Sequence, residues 1–249
     1  MTDTESIIID AGIGLRSLKK MIFEYHVNLA FVKAILITHD HADHIKSVGV
    51  LSRDLNIPVY TTSSVHEGIN ANYFVKHKIP AERAKVITPN EPFTVGSFTV
   101  TPIPVPHDSH GCVGFFVEAE GTNFCLLTDV GLVSPETGAY ISRTRHLVIE
   151  SNYDKEMLAA GPYPQYLKER IASGNGHLSN VDCAEALVAY ATPMLRHVWL
   201  CHLSQENNHP ELARLTIEHH LREHGIVPGV DFQLDVLKRK SVCGIYELD

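Results

Sequence analysis

The feature that most constrains this chain is a junction it repeats: a short apolar run, then within a few residues a histidine, aspartate or asparagine. AILIT (34–38) runs into His39, Asp40, His41, Asp43 and His44. TPIPVP runs into His107, FCLLT into Asp129, HLVIE into Asn152 and Asp154, and HVWLC into His202. Runs of this length and β-branched content read as buried strands. A strand interior buries its side chains, while its end opens into loops that can gather residues from distant parts of the chain. Several strand ends carrying imidazole and carboxylate are what a metal site at one sheet edge requires.

The rest of the chain supplies the sheets. Strands are predicted at 6–9, 34–38, 58–60, 98–103, 113–119, 123–128, 146–149, 197–200, 232–237 and 244–247. Helical patterns fall at 15–25, 47–55, 64–70, 164–172, 181–191 and 211–224. Gly96 and Gly121 supply the permissive backbone of two hairpin turns. Hairpins in the first half with strand–helix units on either side predict an α/β (α+β) architecture, two sheets with helices outside. No repeat or long linker interrupts the 249 residues, so a single domain, 1–249, is the economical reading.

Within HDHADH, His39 and His41 are two apart in an extended segment and point to the same side. Asp43 and His44 sit where the chain turns into the next helix and reach a different point. The first pair can therefore hold one ion and the second pair another. Each ion needs more ligands, and His107, Asp129 and His202 are available, with Asp129 the natural bridge. His110 competes with His107, which is favoured by its place at the strand end.

Composition narrows the setting. The net charge of −8 gives no whole-protein attraction to phosphates. The basic cluster Lys238-Arg239-Lys240 reads as a solvated strand end. No run of about 18 apolar residues predicts a membrane helix. The polar, acidic start MTDTES is unlike a secretory signal. Five scattered cysteines without CxxC pairs fit reduced thiols and a cytoplasmic protein.

HxHxDH after a strand, followed by His, Asp and His after later strands, resembles the metallo-β-lactamase-fold hydrolase superfamily. IDAGIG, THDHADHIKSVG, VPHDS, TDVG, ESNYD, GHLSN and CHLS together look most like its YycJ (WalJ) branch. That resemblance implies a four-layer αββα sandwich and a metal-dependent DNA exonuclease linked to DNA repair. It assigns a first ion to His39, His41 and His107, and a second to Asp43, His44 and His202, with Asp129 bridging. It implies two divalent ions of Zn, Mn or Fe and a 5′–3′ nuclease acting on DNA, or another phosphodiester, through a hydroxide shared by the ions. Asp43 is then expected to orient that hydroxide. Members of the branch usually begin with an extra strand and a Ser/Gly-rich turn before IIIDAG, so the expectation is either a truncated start or a first sheet that lacks an edge strand.

GHLSNVDCAEAL carries a second signal. Ser179 and Asp182 fit the S-x-x-D helix cap, and a capped helix N-terminus also takes phosphate. His177, Ser179 and Asn180 are therefore substrate candidates, with His177 also able to protonate the leaving group. Asn152 lines the cleft or braces its loop. His220 and His224 read as a solvated helix face, and His66, His77, His209 and His219 as surface residues. Competing readings keep the ions but take a small cyclic or linear phosphodiester, an RNA 3′ end, a thioester or a lactone. A scaffold without turnover is disfavoured by the complete ligand set. An oxygen-reducing di-iron centre is disfavoured because it wants a glutamate where His41 stands.

Overall fold

In this computed structural model, which describes residues 1–239 and 241–249, the chain divides into two compact units. The first comprises Met1–Pro104, Ser109–Gly121 and Gly244–Glu247; the second comprises Val105–Asp108, Thr122–Cys243 and Leu248–Asp249.

The first unit begins with strand–helix alternation: β1 (Ser6–Ile9), α1 (Leu15–Glu24), β2 (Val32–Leu36), α2 (Ala42–Ile45), α3 (Val48–Leu55), β3 (Val59–Thr61), α4 (Ser63–Ala71) and β4 (Ala84–Val86). The four strands are parallel, in the order β1-β2-β3-β4, with β1 at the edge. Right-handed crossovers between sequential parallel strands put all the helices on one face. Alternation along the strands then sorts the side chains. Ile35 and Ile37 share a core with Ile45, Val48, Leu51, Val65 and Ile69 from the helices. Ile7, Ile9 and Leu36 face the other way and pack on Val100, Val113, Phe115 and Val117. Those residues belong to an antiparallel meander, β5 (Phe93–Val95), β6 (Phe98–Pro104) and β7 (Val113–Ala119). Gly96, at φ +57°, makes its tight first turn.

The second unit repeats the parallel scheme: β8 (Thr122–Leu127), α5 (Pro135–Ile141), β9 (His146–Glu150), α6 (Lys155–Ala160), α7 (Gln165–Ile171), α8 (Asn180–Tyr190), β10 (His197–Cys201), α9 (Pro210–Glu223) and β11 (Gln233–Val236). Strand order is β8-β9-β10-β11, all parallel. Leu147, Ile149, Val198 and Leu200 are fully buried. Their neighbours Val148, Trp199 and Cys201 face the opposite side with Phe124 and Leu126. Ser134, Asp154 and Ser179 each cap a helix by accepting from the amide three residues on.

Several expectations need correction. Helices α2, α5 and α6 and strands β4 and β5 are too short to imprint a period on the sequence. Residues 244–247 form no strand, and of the basic cluster Lys240 lies outside the described residues. His66 is buried, not on the surface, with Nε2 on the Lys85 carbonyl at 3.1 Å. Among the described residues no helix is long and apolar enough to cross a membrane.

Candidate metal centre

In the first unit the chain leaves β2 through Ile37 and Thr38 and turns into α2 at His41, so the histidine cluster sits in the strand-to-helix turn. Asp10, just past β1 and at φ +58°, organises it. Its carboxylate accepts from the Thr38 amide (2.9 Å), the Thr38 hydroxyl (2.9 Å) and His44 Nδ1 (2.7 Å). Thr38 has one hydroxyl proton, and Asp10 takes it. The same oxygen is then an acceptor for His39 Nδ1 at 2.9 Å. Both His39 and His44 are thereby fixed with Nδ1–H engaged and Nε2 left as the donor atom for a cation. The rings gather: His39 lies 4.6 Å from His41 and 4.1 Å from His44, centroid to centroid. Asp43 keeps 74% of its side chain exposed, 3.8 Å from His44 Nε2. Asp40 is drawn off, accepting from the Ser109 hydroxyl while its carbonyl accepts from Asn72 Nδ2.

The second unit assembles its polar residues from three strand ends and two loops. His107, on the loop 105–108, gives Nδ1–H to the Gly176 carbonyl (2.9 Å), which leaves Nε2 between Asp108 Oδ1 (3.3 Å) and Asp129 Oδ1 (3.7 Å). Burial lowers its pKa against the pull of Asp129, which favours the neutral, ligating imidazole. Asp129 and His202 follow β8 and β10 at φ +54° and +55°, left-handed conformations that turn each side chain sharply off its strand. At the end of β9, Glu150 is wholly buried. One of its oxygens accepts from His202 Nδ1 (2.7 Å) and His177 Nδ1 (2.8 Å). The other accepts from the amides of Val130 (2.9 Å) and Leu178 (3.1 Å). Burial alone would raise the Glu150 carboxyl, but the two histidines bring it down to about 2. Burial opposes charge on His177 as well, yet Glu150 carries its pKa upward.

Asp129, Glu150, His177 and His202 bring ligand atoms within 4.8 Å of one another. Glu150 has four hydrogen bonds on its two oxygens, so it orients the histidines and is not itself free to ligate. The remaining donors are of the types a divalent cation takes: the Asp129 carboxylate and imidazoles whose Nδ1 is committed to Glu150.

Each expected site residue can now be placed. The first unit brings His39, His41, Asp43 and His44 together; the second brings His107, Asp129, His177 and His202 together. Asn152 is a brace, its amide donating to the His202 carbonyl at 2.7 Å. Ser179 and Asn180 are corrected. Both are fully buried: Ser179 is bound to Asp182 in the cap, and Asn180 to Ser151 and Asn208. Their side chains have no surface to offer a substrate. His110 is exposed, and His224 Nδ1 turns back onto the His220 carbonyl. Sequence reasoning missed Asp10 and Glu150. Their signal, an acid closing each of the apolar runs SIII and HLVI, was present, but nothing local says which histidine each one holds.

The profile of the family described as "Beta-lactamase superfamily domain" matches residues 5–203. The chain is 34% identical over 233 residues to "Exodeoxyribonuclease YycJ" of Bacillus anthracis, covering 94% of this chain and 87% of that protein. It is 31% identical to "Exodeoxyribonuclease WalJ" of Streptococcus pneumoniae, covering 94% and 86%. Among solved structures it resembles Zn(2+)-bound PqqB from Methylobacterium extorquens, with TM-score 0.70, 18% identity, and 94% and 83% of the two chains covered. It also resembles the metallo-beta-lactamase fold protein YhfI from Bacillus subtilis, with TM-score 0.68, 16% identity, and 96% and 87% covered. At such identities the structural likeness is one of fold.

Proposed function

This chain belongs to the β-lactamase superfamily, with the metallo-β-lactamase fold, and from that premise we propose that it is a two-metal exodeoxyribonuclease digesting DNA from 5′ ends. It is a metal-dependent hydrolase of the phosphodiesterase or nuclease class. The finer reading takes 1–249 as one catalytic domain carrying two ions of Zn, Mn or Fe, in the cytoplasm, with a role in DNA repair. By motif we assign His39, His41 and His107 to one ion, Asp43, His44 and His202 to the other, and Asp129 to both. The observation that carries it is the commitment of Nδ1 in His39, His44, His107 and His202 to fixed acceptors, which presents four Nε2 atoms as donors.

Such ions supply acidification of water and neutralisation of phosphoryl charge. The chain's own residues do the rest. Asp10 and Glu150 hold imidazoles in one tautomer and orientation. His177, with Nδ1–H on Glu150, offers Nε2 to carry a proton to the departing oxygen. To Asp43, whose side chain is 74% exposed, we assign the orienting of the attacking hydroxide. The test is to quantify bound metal and then assay Mn- or Zn-reconstituted protein on 5′-phosphorylated duplex DNA, beside a His39→Ala/Asp129→Ala variant. Stepwise release of nucleotides from the 5′ end, lost in the variant, supports the reading. No release with both metals loaded overturns it, and turnover of a small phosphodiester or thioester instead would name the replacement.

A further inference from the structure

The loop at 72–78, NYFVKHK, follows α4 and is fastened on every side. Asn72 Nδ2 donates to the Asp40 carbonyl at 3.0 Å, so the loop is bonded to the backbone that separates His39 from His41. Asn72 Oδ1 accepts from the Phe74 amide at 2.9 Å. Lys78 Nζ binds the carbonyls of Ile69 (3.1 Å) and Asn72 (2.8 Å), closing the end of α4. Val75 is buried in the helix-side core. A Cβ at Gly49 would lie 1.7 Å from the His77 carbonyl oxygen, so α3 presses directly on the loop.

A segment held this firmly nonetheless turns Tyr73 and Phe74 outward, 89% and 59% exposed. Tyr73 is the most exposed large apolar side chain among the described residues. The two rings meet edge to face, centroids 6.0 Å apart at 75°, and do not cover each other's faces. Lys76 and His77 beside them are also exposed, and Lys76 makes no ion pair among the described residues. Open aromatic faces beside the exposed Lys76 fit an anionic partner with flat apolar surfaces, and Lys76 supplies locally the attraction that the chain's net charge of −8 does not.

We infer that Tyr73 and Phe74 form a stacking platform for nucleobases of a single-stranded DNA end, with Lys76 on its backbone phosphate. The inference rests on the nuclease reading and gives that activity a binding site for its polymer. The platform is tied through Asn72 to the ligand-bearing turn, so a strand stacked on it is held by the same unit that carries His39, His41 and His44. Stacking on an aromatic face tolerates any base, as an exonuclease that moves along DNA requires.

The test uses metal-loaded protein and a phosphorothioate-linked, fluorescein-labelled single strand that resists cleavage, read by anisotropy. Tyr73→Ala/Phe74→Ala is expected to raise Kd about ten-fold or more, consistent with loss of stacking on at least one base. Tyr73→Trp, which keeps a stacking face, is expected to hold wild-type affinity. A strand with abasic sites at its terminal nucleotides should bind wild type as weakly as the variant, with no further loss when the two are combined. Lys76→Glu should lower the slope of log Kd against log salt by about one phosphate's worth. An unchanged Kd in the double variant overturns the inference and leaves the nuclease reading standing. So does an abasic penalty of equal size in wild type and variant, or a dimer that Tyr73→Ala dissolves without affecting DNA. Wild-type protein that neither binds nor degrades DNA overturns both, and only that arm reports it.

Discussion

At the scale of single residues, Glu150 and Asp10 do most of the arranging. Replacing a group that orients ligand imidazoles typically costs 10–100-fold in metal affinity or activity. Glu150→Gln keeps the shape but removes the charge and puts a donor where an acceptor stood, facing either both Nδ1–H groups or the amides of Val130 and Leu178. We expect a 10–100-fold weaker metal site by competition titration with a chromogenic chelator, with a matching fall in turnover. The same residue predicts a pH dependence. Its folded pKa of about 2 lies below the unfolded value near 4.3, so its contribution to stability is complete above about pH 4.3 and is lost as pH falls toward 2. Urea midpoints of metal-free protein should therefore fall more steeply between pH 5 and 3 for wild type than for Glu150→Gln. Equal slopes would show that the carboxylate is not ionised in the fold.

At the scale of elements, the segment after β1 is fitted to the histidine turn at van der Waals limits. A Cβ on Gly12 would lie 1.2 Å from the Asp43 carbonyl oxygen, whereas one on Gly14 meets nothing within 4 Å. The Ala11 amide also donates to the His44 carbonyl at 2.6 Å. Gly12→Ala must push the two segments apart and should cost about 3 kcal/mol with loss of activity. Gly14→Ala should stay within about 0.5 kcal/mol in the same denaturation assay. Parity between them would mean the turn is far more pliable than its contacts indicate. The longer elements were legible in the sequence because period and length agree, as in β6, β7 and α9. The short α2, α5 and α6 were not, since one or two turns leave no period to read. Asn180 misled for a related reason: the residue after a helix cap is a substrate candidate from sequence, but a packed helix N-terminus buries it.

At the scale of the whole molecule, the proposed ligands are drawn from residues 39 to 202, so any cation they hold binds the folded chain and not the unfolded one. Binding of that kind stabilises by RT ln(1 + [L]/Kd), about 4 kcal/mol at a thousand-fold excess over Kd. Stripping metal with a chelator should lower Tm by several degrees, and Zn or Mn should restore it; a Tm indifferent to both would argue that no tight site exists. The kinds of donor and their delivery to strand ends were determined by the sequence, because alternation and apolar runs are local properties that each segment carries alone. Which ring nitrogen each histidine commits to a carboxylate was decided only by tertiary structure. His44 depends on Asp10, 34 residues away, and His202 on Glu150, 52 away. Such pairings arise where parallel strands lie side by side, and no local pattern records them. The same physics buried Ser179 and Asn180 and left Tyr73 and Phe74 in the open: exposure is set by what packs against a segment, not by the segment.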